Sequence, residues 1–244
     1  MRNIARILSV IGLGVAVGCA LAALAAGLGY RFGWWHYRAG IATLGYVFWV
    51  AAGTAVFCAL AVLVAAVRAD AGAIVTAVLG LAIAGITAWV PYDLRMTASS
   101  VPAIHDISTD TVNPPLFVKV AGLRKPDDHS TVYDNVGDQQ RKAYPDLAPL
   151  VLKAPRDKVF AAAQGALASM GLEVVDADAK LGRIEATATS TLFGFKDDVV
   201  VRIAEDPGGT KVDVRSKSRV GRNDLGMNAK RIRTFQAKLK TAAG

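Results

Sequence analysis

The first 91 residues carry only six formal charges, Arg2, Arg6, Arg31, Arg38, Arg68 and Asp70, which leave three uncharged apolar runs. The runs cover residues 7–28, 41–67 and 71–90. A helix rises ~1.5 Å per residue and the hydrocarbon layer of a bilayer is ~30 Å thick, so about 20 apolar residues span it. Each run reaches that length, which predicts three transmembrane helices. Pro91, followed by Tyr92, Asp93 and Arg95, predicts exit into water. The whole chain is 53% hydrophobic and 20% charged, against roughly 45–50% and 25% for soluble domains. Wholly soluble and disordered chains are excluded on that balance.

The first run has two other readings. Arg2 and Arg6 with the small residues Ala23-Leu24-Ala25 suit a cleaved signal peptide, and Ala16-Val17-Gly18 before Cys19 suits a lipoprotein signal. Its length and the two further runs favour retention as a helix. Gly14, Gly18, Ala22 and Ala26 recur every four residues and are expected to pack against another helix. Basic residues at the run ends divide equally between the two sides, so the positive-inside count sets no orientation. Trp34, Trp35 and Tyr37 fall on the same side as Trp89 and Tyr92, as interfacial aromatics of a three-span region would. Three spans put the large carboxyl-terminal region opposite the amino terminus. Both cysteines, Cys19 and Cys58, lie in the runs, so the water-exposed part holds no disulfide framework or thiolate metal site.

The chain divides into a membrane region at 1–95, an extended strap at 96–148 and a globular domain at 149–244. The strap lacks periodicity and carries prolines at 102, 114, 115 and 126, with a short strand expected at 116–120. From residue 149 the pattern reads strand, helix, four strands, helix. The first helix presents Val159, Phe160, Ala163, Leu167 and Met170, and the last presents Leu225, Ile232, Phe235 and Leu239 behind an Asn223 or Asp224 cap. Hairpin spacing makes the sheet antiparallel, with both helices on one face. The fold class is thus membrane α-helical plus a carboxyl-terminal α+β domain.

Three ordered motifs carry a resemblance. They are His105-Asp106-Ile107-Ser108-Thr109-Asp110 with Asn113-Pro114-Pro115 and Phe117, then Leu192-Phe193-Gly194-Phe195-Lys196-Asp197-Asp198, then Val212-Asp213-Val214-Arg215-Ser216-Lys217-Ser218-Arg219-Val220-Gly221-Arg222-Asn223-Asp224. Together they resemble domain-of-unknown-function family 1499 over roughly residues 104–240. The resemblance implies bacterial or plastid-type proteins, often exported or membrane-attached. It implies no activity and no catalytic residue.

The closing motif is the richest in chemistry. Arg215, Lys217 and Arg219 alternate onto one strand face, and with Arg222 they are expected to converge on the start of the last helix, where Gly221 permits close backbone approach. Guanidinium forks there would hold a phosphate or carboxylate. The competing reading pairs these cations with the chain's own aspartates. Residues 211–244 hold ten basic and two acidic side chains, a composition suited to anionic lipid headgroups. Nucleic acid is not expected, because no aromatic residues interleave with the basic ones.

His105, Asp106, Ser108 and Asp110 offer nucleophile, base and carboxylate types, but neighbours in sequence seldom form a triad. Their expected role is to satisfy backbone groups of a turn. Asp197 and Asp198 point to opposite strand faces, which argues against a shared acid–base site. No metal site and no cofactor is expected. The favoured function is a non-enzymatic binding or accessory module in the inner membrane. Its domain would be periplasmic, and its partners the bilayer, an anionic lipid or small anion, and membrane proteins. The alternatives are a hydrolase-like envelope enzyme using residues 105–110 and a scaffold subunit of a larger membrane complex.

Overall fold

A computed structural model describes residues 2–244, and side chains from Asn3 onward. The chain splits into two compact units, one of residues 1–97 with Thr191–Gly194, the other of residues 98–190 with 195–244. From residue 98 on, the strap therefore belongs to the carboxyl-terminal unit.

The first unit holds α1 (Arg2–Arg31), α2 (Tyr37–Val67) and α3 (Ala71–Ser100). All three are long and apolar enough to cross a membrane. The helix itself does not stop at Pro91, since α3 continues through it to Ser100. Proline removes a single backbone donor, and the hydrogen bonds on either side carry the helix past it. The expected packing stripe holds only in its second half, where Ala26 is buried and Ala22 packs against Cys19, Val47 and Ala51. Gly14 and Gly18 face outward with open space at their Cβ positions, while Ala5, Ser9, Gly12, Ala16 and Cys19 turn inward. Spacing by four drifts around a helix, whereas alternating steps of four and three hold one seam. At that seam Cys58 of α2 lies between two glycines. A Cβ at Gly12 would come within 2.6 Å of its Sγ, and one at Gly80 of α3 within 2.9 Å. Glycine is what lets the three backbones approach there. At one end of this unit Asp70 receives Arg6 Nε at 2.8 Å and caps α3 by accepting from the Ala73 amide at 3.2 Å.

The second unit is α+β. Its elements are β1 (Asp106–Ser108), a 3-10 turn (Val120–Leu123), α4 (Gly137–Ala143), β2 (Leu150–Leu152), α5 (Arg156–Ser169), β3 (Glu173–Asp178), β4 (Arg183–Thr189), β5 (Lys196–Asp206), β6 (Gly209–Ser218) and α6 (Met227–Ala243). Strands β3 to β6 form an antiparallel meander. The outer edge of β6 takes two short strands end to end: β2 pairs with residues 210–212 and β1 with residues 215–217.

Alternation decides what each face meets. Ile184, Ala186, Val199, Val201, Ile203, Val212 and Val214 pack against Val159, Phe160 and Leu167 of α5 and Ile232, Phe235 and Leu239 of α6. This is the expected apolar core, with both helices on one face. A strand expected at 116–120 does not form. Instead the amides of Val118, Lys119 and Val120 converge on the single carboxylate of Glu185 at 2.9–3.1 Å, a convergence that extended backbone does not give.

Candidate functional site

The second face of the sheet is lined by the alternate residues of the same strands: Arg183, Glu185 and Thr187 of β4, Asp198, Val200 and Arg202 of β5, and Asp213, Arg215 and Lys217 of β6. An amphipathic strand would turn such residues to water. Here most of them are buried instead, with Arg215 and Lys217 both at 0% exposure and Arg183 and Arg202 half-buried. The cover is the strap, which runs across them between β1 and α4. A charge removed from water costs several kcal/mol unless it is paired, so the pairing is what makes this layer stable.

Three ionic clusters result. In the first, Arg215 forks onto Asp106, Nε to Oδ1 and Nη2 to Oδ2, both at 2.8 Å. It also donates to the carbonyls of Pro115 and Thr131. Its guanidinium lies over the rings of Phe117 at 4.7 Å and Tyr133 at 5.3 Å. Lys217 Nζ meets Asp134 Oδ1 at 2.6 Å, the Val132 carbonyl at 2.7 Å and Asp106 Oδ2 at 3.2 Å. Burial, with Asp106 next in weight, pushes the Tyr133 hydroxyl up to about 12, so it stays neutral.

In the second cluster Asp198 is shared. Arg219 grips it through Nε and Nη2 at 2.8–3.2 Å, Arg124 of the strap adds Nε at 2.9 Å, and Thr187 Oγ1 donates at 2.9 Å. Burial lowers the Arg124 pKa, and the facing Asp198 works against that shift. In the third, Arg202 bridges Asp213 at 2.8 Å and Asp110 at 3.1 Å, with Lys211 within 4 Å of both. Burial pushes the Asp110 carboxyl up, but amides of Asn113 and Val112 together with Lys211 and Arg202 outweigh it and hold it below the usual range. Glu185 adds Arg183 Nε at 2.9 Å to its three backbone amides.

Arg215, Lys217 and Arg219 thus pair with carboxylates of the chain. They sit on one face, as alternation requires, but they meet the strap rather than converge on the start of α6. That helix start is filled by Asp224, which accepts from the Gly226 and Asn228 amides, each at 2.8 Å, and burial raises its pKa. Arg222 stands apart and exposed. Gly221 has a φ of +92°, open to glycine, and its carbonyl lies 2.9 Å from His129 Nε2.

In the 105–110 segment Asp106 and Asp110 enter the clusters above. The Ser108 backbone exchanges two hydrogen bonds with the Gln140 side chain, and its hydroxyl donates to the Asp110 carbonyl. Asp110 also accepts from the Val112 and Asn113 amides, the turn role expected of it. Asp197 pairs with Arg231 of α6 at 2.7 Å on the helix side, while Asp198 points to the strap. Sequence reasoning missed Arg124, Asp134, Glu185 and Phe117 as members of this layer. The polar residues at alternate positions of β4 were the available signal for Glu185.

These features describe a chain with three candidate membrane spans and an α+β domain whose sheet is buried on both faces, one apolar and one ionic. A family model described as protein of unknown function, DUF1499, matches residues 106–239, more than half of the chain, and the chain belongs to that family. No curated protein matches it. Among solved structures it is similar to protein CV1439 from Chromobacterium violaceum, at 12% identity over 39% of this chain and 94% of that one, with a TM-score of 0.27.

Proposed function

We propose that this chain is a non-enzymatic accessory protein of the bacterial inner membrane, whose periplasmic domain meets anionic phosphate groups of the lipid headgroups through α6. One observation carries the reading. Arg222, Lys230, Lys238 and Lys240 are exposed, and none of them forms an ion pair among the described residues, whereas Arg215, Lys217, Arg219, Arg231 and Arg233 all do. The free positive charge of the basic carboxyl-terminal stretch therefore sits on and just before the last helix. Lys230 and Lys238, two turns apart, share its outer side. Each basic residue close to an anionic surface contributes about 1 kcal/mol, and three spans would keep the domain beside such a surface. The family's frequent export supports a periplasmic domain, which three spans would place opposite the amino terminus.

A Thr241→Cys variant tests both parts, because Cys19 and Cys58 are buried. An impermeant maleimide is expected to label it in spheroplasts. In nanodiscs, phosphatidylglycerol is expected to slow that labelling several-fold relative to phosphatidylcholine, and Lys230→Gln with Lys238→Gln to remove the difference. Equal rates in the two lipids would sink the headgroup reading, and labelling confined to lysed cells would reverse the orientation.

A further inference from the structure

The strap is tied to β6 most densely where it carries a histidine stacked on another. His105, at the start of β1, and His129, in the strap, lie with ring centroids 4.1 Å apart and planes inclined by 26°. His129 Nε2 lies 2.9 Å from the Gly221 carbonyl, so the neutral ring donates from that nitrogen, and its backbone amide donates to Arg219 at 2.7 Å. His105 Nε2 lies 3.1 Å from Asp134 Oδ2. Residues 129–134 then supply three of the groups that close over Lys217 and Arg215, namely the Thr131 carbonyl, the Val132 carbonyl and the Asp134 carboxylate.

We propose that the stacked His105–His129 pair is an acid-sensitive latch, whose protonation releases residues 129–134 from β6 and opens Arg215 and Lys217 to water. The charge count around the rings explains the direction. Asp134 and Asp106 favour a proton on His105, while Lys217 and the facing His129 oppose it. From the strap side, Arg124 donates to the His129 carbonyl at 2.6 Å; from α6, the neutral Asn228 reaches the His105 carbonyl at 3.1 Å. Two imidazolium rings at stacking distance, beside Lys217 and Arg215, would place four cations against the two carboxylates of Asp106 and Asp134. The strap is the partner that can leave, because β1 is held in the sheet by its ladder to β6. Burial is the largest cause of a His105 pKa below the ordinary value. A base whose folded pKa is depressed stabilises the closed form above about pH 6.5, and that contribution is lost as pH falls through the lower folded value.

Amide hydrogen exchange on the full chain in nanodiscs, corrected for the intrinsic rate, tests the latch. Between about pH 7.5 and pH 5, protection of residues 129–134 is expected to fall severalfold relative to β4 and β5. His105→Gln and His129→Gln should each flatten that drop. The chain has three histidines, so histidine-labelled NMR gives a second reading that needs no variant beyond assignment. The His105 midpoint should lie below the ordinary value and coincide with strap opening. Protection that does not change with pH, a drop that persists in both variants, or a His105 midpoint at or above the ordinary value would overturn the proposal.

Discussion

Along β5, Val199, Val201 and Ile203 turn to the helices, while Asp198, Val200 and Arg202 turn to the strap, and both sets are largely withdrawn from water. The two faces are stabilised differently. On the helix side the gain scales with apolar area removed from water and tolerates exchange among side chains of similar volume. On the strap side each charge is offset by a particular partner, so the arrangement depends on pairing and geometry. The strap face also explains why a loop-rich segment stays in place without regular structure. Its backbone is held by side chains of the sheet, as where Glu185 takes three of its amides or Arg215 takes two of its carbonyls. The contrast predicts a sheet whose apolar side fails gradually under substitution and whose ionic side fails when one partner is removed.

Asp198→Ala is expected to have the largest effect, because it strands both Arg124 and Arg219 in a buried position. Breaking such a pair costs about 3–5 kcal/mol, read as a loss of exchange protection across β5 and β6. A cost below 1 kcal/mol would mean that water already reaches this layer. Leu167→Ala, on the helix side, is expected to cost about 2–5 kcal/mol through lost contacts and the cavity left behind. Leu167→Met should restore most of that, since the volume is nearly kept. No conservative exchange at Asp198, Asp198→Asn included, should rescue to a similar degree, and equal rescue on the two sides would erase the distinction.

What the sequence made legible follows the same division. The three spans could be read because charges are missing over whole runs, and α5, β3 to β6 and α6 because their periodicities are local. Alternation also placed Arg215, Lys217 and Arg219 on one face. That this face has a cover could not be read, because its partners are distant in the chain. Asp106 and Arg215 are 109 positions apart, and Arg124 and Asp198 are 74 apart. Nor does the strap that joins them carry a period of its own. The inward seam of α1 is legible only in part for a related reason. A repeat of small residues every four positions stands out in a glycine-rich run, and its Ala22 and Ala26 do pack, yet the first half of the seam runs through Gly12 and Ala16 rather than Gly14 and Gly18.

The central claim is that the cations of the closing motif stabilise the fold through pairing. The most direct measurement compares Asp106→Leu alone with Asp106→Leu, Arg215→Met and Lys217→Met together, by exchange protection of β6 in the full chain. Replacing a buried ionic set by apolar residues of similar volume is often neutral or better, whereas removing one member leaves uncompensated charge. Asp134, being partly exposed, can turn to water when Lys217 is gone. The single variant should lose about 3–5 kcal/mol of protection and the triple variant should recover most of it. A single variant as stable as the unaltered protein, or a triple variant no better than the single, would contradict the account.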